Sequence, residues 1–350
     1  MNVSTHEKSD IQESPDAGFG KRSLGKRLVE ANTFWIGLVL VGLIVLFSVI
    51  APDTFPTLFT FQTLFIESSV LLILSVGMTF VIITAGIDLS VGSVLILSGM
   101  AGGKTMEALS GGDASKAGWG VIVVGLVVAV VTGTIWGLIN GALVALAKLP
   151  PLIVTLGTMG ASLATAYLFN GGSDLRTVPA ALTQTLGYGT SFGVVPNLVI
   201  VAIVITVIGA WLLRTTKFGR YTFAVGSNAE GARRVGIGVT AHLLKVYTLT
   251  GFLAGLAGFL SLAYYNSTTI SGHTTDNLNA ITAVVMGGTS LFGGVGTILG
   301  TVIGVFIPAV LRKGFNIIHV QDFWQLFIVS WVLIAAVWFD QQRRRRRNSR

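Results

Sequence analysis

The sequence predicts an all-α polytopic membrane protein of about ten transmembrane helices, with a short cytoplasmic helix between two of them. Three observations carry this. Only 11% of the 350 residues are charged and 52% are hydrophobic, whereas about a quarter of a soluble domain is charged. Apolar runs of roughly 20 residues, the length that crosses a bilayer core, recur along the chain. The 44 glycines suit helices that pack backbone to backbone in lipid. There is no cysteine, and the four histidines are scattered. Disulfides, thiol catalysis and Cys-ligated metals are therefore excluded, and a metal site is not expected.

Taken in order, residues 1–30 are polar and of mixed charge and read as a disordered cytoplasmic tail, basic near its end at Lys21, Arg22, Lys26 and Arg27. The apolar run Thr33–Ile50 is too long for a signal-peptide core and no small-residue cleavage site follows, so it reads as an uncleaved first helix. Further helices are predicted near 63–84, 89–108, 119–146, 151–170, 194–213, 243–265, 279–291, 294–311 and 323–339. Residues 31–340 then form one transmembrane domain, and 341–350 a basic cytoplasmic tail. Segments 279–291 and 294–311 are short and broken by glycine, which leaves a re-entrant path open for either.

Orientation follows from lysine and arginine near the span ends. With the N-terminus inside and ten spans, only Lys104, Lys116, Arg176, Arg312 and Lys313 of the 23 basic residues fall outside. Both termini are thus expected in the cytoplasm. Arg343 to Arg347 pin the last helix against anionic lipid, a better reading of the run than nucleic-acid binding. Gly133, Gly137 and Gly141 repeat every four residues, as do Gly296, Gly300 and Gly304, and Gly251 with Gly255. These ridges predict close helix packing.

Two glycine-rich stretches imitate nucleotide sites and fail. The run Ser98 to Thr105 has Ser98 where a P-loop needs glycine, and Gly293 to Gly300 is one residue off the dinucleotide spacing and lacks its strand and acid. No Ser/His/Asp constellation is readable. Ionisable residues inside spans signal function by default, but here they are few. Glu67, one turn into the second helix, reads as interfacial. Asp88 lies in the break Thr84 to Ser93, where Gly86, Asp88, Ser90 and Gly92 interrupt an apolar run. That break is either a capping turn for the next helix or a discontinuity that lines a cavity or meets a cytoplasmic partner.

The inside loop from Arg214 to Lys245 is unusually long. Within it Asn228 is a good N-cap, Glu230 lies in the first turn, Arg233 and Arg234 come later, and Gly236 supplies a C-cap. The order predicts a short exposed helix beside the membrane. It either anchors on lipid headgroups or receives a cytosolic subunit.

Several stretches together resemble the permease subunits of bacterial ribose/xylose/arabinose-type ABC importers. They are Gly77 to Gly92, Asn140 to Val144 with Leu149 to Thr158, Thr216 to Arg220, Ala224 to Arg233 with Gly236 and Ile237, Ser290 to Gly294, and Gly314 to Ile318. The resemblance implies a multi-pass protein of the bacterial cytoplasmic membrane that is not itself an enzyme and holds no cofactor, ATP being bound by a partner. The partners implied are a cytosolic ATPase with tandem nucleotide-binding domains, a periplasmic sugar-binding protein and a second permease subunit. On this resemblance Gly226, Asn228, Glu230, Ala232, Arg233 and Gly236 belong to the ATPase-coupling helix, and the turn of Gly86, Asp88, Ser90 and Gly92 lies near the same cytoplasmic face. Asn140, Thr155, Thr158, Ser162 and Asn170 are the polar candidates at span depth for lining the sugar path, or else for bonding neighbouring helices. One departure stands out: where the family pattern has a Glu-Leu-Asp acidic pair, this chain has Asn277-Leu-Asn279. From the residues alone, a gradient-driven secondary transporter and a non-transporting scaffold also remain open. The scarcity of buried acids argues against the former.

Overall fold

The computed structural model describes residues 32–268 and 272–321, with positions 323–325, 327, 328, 330, 331 and 334 beyond them. The predicted tails and most of the expected last helix lie outside the described residues. The fold is almost entirely helical: α1 (Asn32–Ile50), α2 (Leu58–Ile83), α3 (Val91–Leu109), α4 (Trp119–Ala145), α5 (Pro151–Phe169), α6 (Asn197–Thr215), α7 (Lys217–Ser227), α8 (Ala229–Arg234), α9 (Val239–Tyr265), α10 (Asp276–Met286) and α11 (Ile298–Ile317). A two-residue antiparallel ribbon, Thr190–Ser191 with Val195–Pro196, decorates the connection before α6.

Seven of these helices are long and apolar enough to cross a membrane: α1, α2, α4, α5, α6, α9 and α11. The other two expected spans within the described residues differ for separate reasons. Helix α3 has 19 residues but is rich in glycine, serine and polar groups, and its residues from Val91 to Gly103 are all buried within the bundle. Helix α10 ends at Met286, five residues short of expectation, where Gly287 and Gly288 break it; Gly288 adopts φ 91°. Its 11 residues extend about 16 Å at 1.5 Å per residue, half of what a bilayer core requires.

The glycine ridges pack as the spacing predicts, except at Gly296, which precedes α11 and lies against the Ile83 and Thr289 side chains. Gly133 and Gly137 of α4 face Gly251 and Gly255 of α9 so closely that a Cβ on either helix would strike the other's backbone. Gly99 and Gly102 seat α3 against Gly258 of α9 and Gly125 of α4 in the same way, and Gly300 and Gly304 bring α11 onto α10 at Gly287 and Ala283. In lipid no hydrophobic drive joins helices, so this close approach and interhelical hydrogen bonds supply the cohesion. The core runs through α2, α3 and α9, whose midsections are almost fully buried. Helix α1 is peripheral. It leans on α11 through Phe47, which stacks on Phe55, meets Phe315 edge-on and covers Gly314.

Candidate functional site

Two features predicted separately from the sequence turn out to be joined. The first is the turn between α2 and α3. Its backbone is not helical, so its carbonyls need partners that lipid cannot give. Three helices provide them, and a fourth bonds the side chain of Ser90. Tyr247 of α9 donates its hydroxyl to the Ile87 carbonyl at 3.5 Å, and Thr155 of α5 shares its hydroxyl between that carbonyl and Pro151 O, at 3.3 and 2.9 Å. Asn277 of α10 donates Nδ2 to the Leu89 carbonyl at 2.9 Å, and Asn140 of α4 donates Nδ2 to Ser90 Oγ at 2.8 Å. Just beyond, Ser162 of α5 donates to Ser93 Oγ at 2.7 Å.

Asp88 is 2% exposed, and no cation among the described residues pairs with it. Its Oδ1 instead accepts from the Ser90 amide at 2.9 Å and the Ser90 hydroxyl at 2.6 Å. The expected side-chain cap on α3 is thus replaced by a local Asx turn: Ser90 occupies the N-cap position with helical backbone and no capping bond. Glycine is required at two positions here. A Cβ on Gly86 would lie 2.7 Å from the Tyr247 hydroxyl, and one on Gly92 would lie 2.6 Å from the His273 carbonyl.

This geometry sorts the polar candidates. Asn140, Thr155 and Ser162 are buried and converge on the turn, where they bond neighbouring segments. Thr158 is half-buried and bonds only within α5, to Thr155 O at 3.4 Å. Asn170 sits at the far end of α5, where it accepts from Lys104 Nζ at 3.3 Å. The turn itself is enclosed by helices instead of lying open on a face.

The second feature is α8. Asn228 Oδ1 accepts from the Gly231 amide at 2.8 Å, so the predicted N-cap is in place. At the other end the Gly236 and Ile237 amides donate to the Arg233 and Ala232 carbonyls at 3.0 Å each, with Gly236 at φ 85°. That is a Schellman motif, which favours glycine in the left-handed position. Glu230 pairs with Arg233 at 3.0 Å and Arg234 at 3.4 Å, with all three side chains at least 60% exposed. Ala232 faces inward against Val225 and Val239.

A backbone contact links the two. Gly226, near the end of α7, lies against the Ile83 carbonyl, the last of α2, and against the Gly294 amide. Gly294 itself donates to Ile83 O at 2.9 Å. Any displacement of α7–α8 therefore meets Ile83, one residue before the buried turn, and the Gly293–Gly294 turn that leads into α11.

Sequence reasoning missed three participants: Tyr247, whose only signal was a tyrosine in an apolar span, His273, and the hydrogen-bonding role of Asn277. His273 forms a Ser/His/Asp arrangement that was not readable from spacing. Its Nε2 meets Ser261 Oγ and its Nδ1 meets Asp276 Oδ2, both at 2.7 Å. The adjoining cavity, about 10 Å³, accepts no substrate. The arrangement ties the connection after α9 to α10. Among the described residues no group of His, Asp and Glu is placed to hold a metal ion.

Residues 60–337 match the family described as the permease component of a branched-chain amino acid transport system. A ribose import permease of Escherichia coli is 36% identical over 311 residues, covering 87% of this chain and 93% of its own length. A fructose import permease of Rhizobium meliloti is 34% identical over 310 residues, covering 87% and 84%. An Escherichia coli D-allose transport permease is 34% identical over 320 residues, covering 89% and 91%. No solved structure matches the chain. A match over most of the sequence, on a bundle of membrane-crossing helices, places this chain in that family of transport permeases.

Proposed function

We propose that this chain is the membrane-spanning subunit of an ATP-driven importer of a monosaccharide or related small sugar in the bacterial inner membrane. The observation that carries the reading is the continuous path from an exposed, doubly capped helix to a buried interhelical junction. Helix α8 offers Glu230, Arg233 and Arg234 to solvent, Gly226 lies against Ile83, and the following turn holds α4, α5, α9 and α10 together. A cytosolic ATPase with tandem nucleotide-binding domains pushes on α8. The turn then shifts, and the helices bonded to it move as a set. Bistable packed junctions of this kind convert a small local shift into helix movement.

The sugar class rests on relatives named for ribose, fructose and D-allose. In this reading a periplasmic binding protein delivers the sugar, a second permease subunit completes the path, and both termini lie in the cytoplasm. The experiment is gentle affinity purification of the tagged chain from native membranes, with mass spectrometry of what accompanies it. Stoichiometric recovery of an ATPase with two nucleotide-binding domains is expected. Recovery of the chain alone, in detergents that preserve such complexes, would favour a gradient-driven transporter.

A further inference from the structure

We infer that a belt of polar side chains on α2, α10 and α11, away from α8, lines the water-filled path and receives the hydroxyl groups of the transported solute. The inference rests on the importer reading for the nature of that solute. The residues are Glu67, Asp276, Asn279, Arg312 and Lys313. Lys313 Nζ donates to Glu67 Oε1 at 3.2 Å, joining α11 to α2. Arg312 donates to Asn279 Oδ1 at 3.2 Å, and Asn279 Nδ2 donates to Asp276 Oδ1 at 3.4 Å. Asp276 is held from behind by buried His273, itself bonded to Ser261. The chain of bonds thus runs unbroken from the core to an exposed arginine.

Position and charge make the case. Glu67 lies 16 residues before Ile83 on α2, about 24 Å along the helix, so the Glu67–Lys313 end of the belt is remote from α8, while Asp276 lies beside Gly92 at the buried turn. Glu67 and Arg312 are exposed on helices that cross the membrane. A charge facing hydrocarbon is costly, and such groups turn to a cavity or a partner instead. Arg312 has five N–H donors and Lys313 three; among the described residues each places one on another side chain. The donors left over suit water and hydroxyl groups. Tyr265, half exposed at the end of α9, meets His273 in a T-shaped contact with ring centres 5.7 Å apart, next to the residue that holds Asp276. Alternating donors and acceptors near an aromatic side chain match a sugar, whose ring has an apolar C–H face and a rim of hydroxyls. His273 is a positioning residue in this arrangement, and the neutral amides at 277 and 279 have separate tasks. Asn277 reaches the buried turn, and Asn279 bridges Asp276 to Arg312.

The chain contains no cysteine, which makes a direct test available. Single-cysteine variants Asn279→Cys and Arg312→Cys, with exposed apolar Val127→Cys of α4 as reference, are expressed with the complete transporter in intact cells. They are treated with a charged, membrane-impermeant methanethiosulfonate. A thiol reacts as thiolate, a species water supports and hydrocarbon does not, so the two belt positions should be modified at least ~10-fold faster than Val127→Cys. Modification should also abolish uptake of whichever of D-ribose, D-fructose or D-allose the cells import. Labelling as slow as at Val127→Cys would overturn the inference, since the belt would then face lipid or be sealed by another subunit. So would fast labelling that leaves uptake intact. Arg312, being exposed, keeps the test decisive should Asn279→Cys fail to fold. Wild-type cells that import none of the three sugars would count against the substrate reading, while the labelling rates would still decide whether the belt meets water.

Discussion

The turn after α2 and the helix after α7 are both interruptions between membrane helices, and they are built on opposite principles. The turn is buried, carries a carboxyl group that no cation among the described residues pairs, and depends on side chains arriving from four other helices. Helix α8 is exposed and takes its order from its own residues: Asn228 at one end, Gly236 at the other and an ion pair between. A buried polar group left without its partner costs much more than a surface ion pair supplies. The turn is therefore intolerant of change and fixes the helix arrangement. Helix α8 can vary in charge without loss of fold, which suits a surface that must match a partner.

The largest effect separating the two should come from Gly92→Val. Its Cβ would meet the His273 carbonyl, a backbone atom that cannot turn aside, and overpacking of that kind costs about 1–3 kcal/mol, occasionally more. We expect a severe drop in the yield and melting temperature of the detergent-solubilised protein. A native melting temperature would mean that the connection before α10 is not packed on α3. Next comes Asn140→Leu. It deprives Ser90, whose hydroxyl is bonded to Asp88, of a buried donor. The expected loss is about 1–3 kcal/mol, read as a lower melting temperature in the same assay, whereas Asn140→Ser, still a donor but shorter, should recover part of it. Equal melting temperatures for Asn140→Leu and wild type would remove the claim that this junction organises the bundle.

How far each region was legible in the sequence follows from the same contrast. The caps and charges of helix α8 were readable because their signals are contiguous: cap, acid, base, glycine; Gly226, expected in the same helix, belongs to α7 instead. The packing ridges were readable because their partners are also glycine ridges, so that Gly133 announced a close approach even before Gly251 was known to face it. At the turn, Gly86, Asp88, Ser90 and Gly92 were recognisable as a break, but what surrounds them was not. The partners Asn140, Thr155, Asn277 and Tyr247 lie between 50 and 188 residues further along the chain. Each is a single polar residue in a helix whose pattern is otherwise apolar, and nothing local says which neighbour it faces. Asn277 shows the limit well. It stood out as a departure from the family's acid, and only the fold reveals an amide donor aimed at the Leu89 carbonyl, a bond that an ionised carboxylate cannot make.

The smallest structural effect, and the sharpest functional one, should come from exchanging charges on α8, with Glu230→Arg and Arg233→Glu combined. The pair keeps its opposite signs three residues apart, and both side chains remain in solvent. Each reversed charge now opposes the helix dipole, a penalty of about 0.3–1 kcal/mol at an exposed site, and Asn228 and Gly236 still close the ends. The melting temperature should therefore stay near that of wild type. If α8 meets the ATPase as proposed, the pattern it presents is inverted, and like charges meeting across an interface exclude a partner. Uptake should fall while the permease remains folded in the membrane, and the ATPase should either dissociate or hydrolyse ATP without transport. Unchanged uptake together with unchanged ATPase recovery would remove α8 from the coupling path. Loss of folding instead would show that the exposed helix is as deeply built into the bundle as the turn, and the contrast between the two would fail.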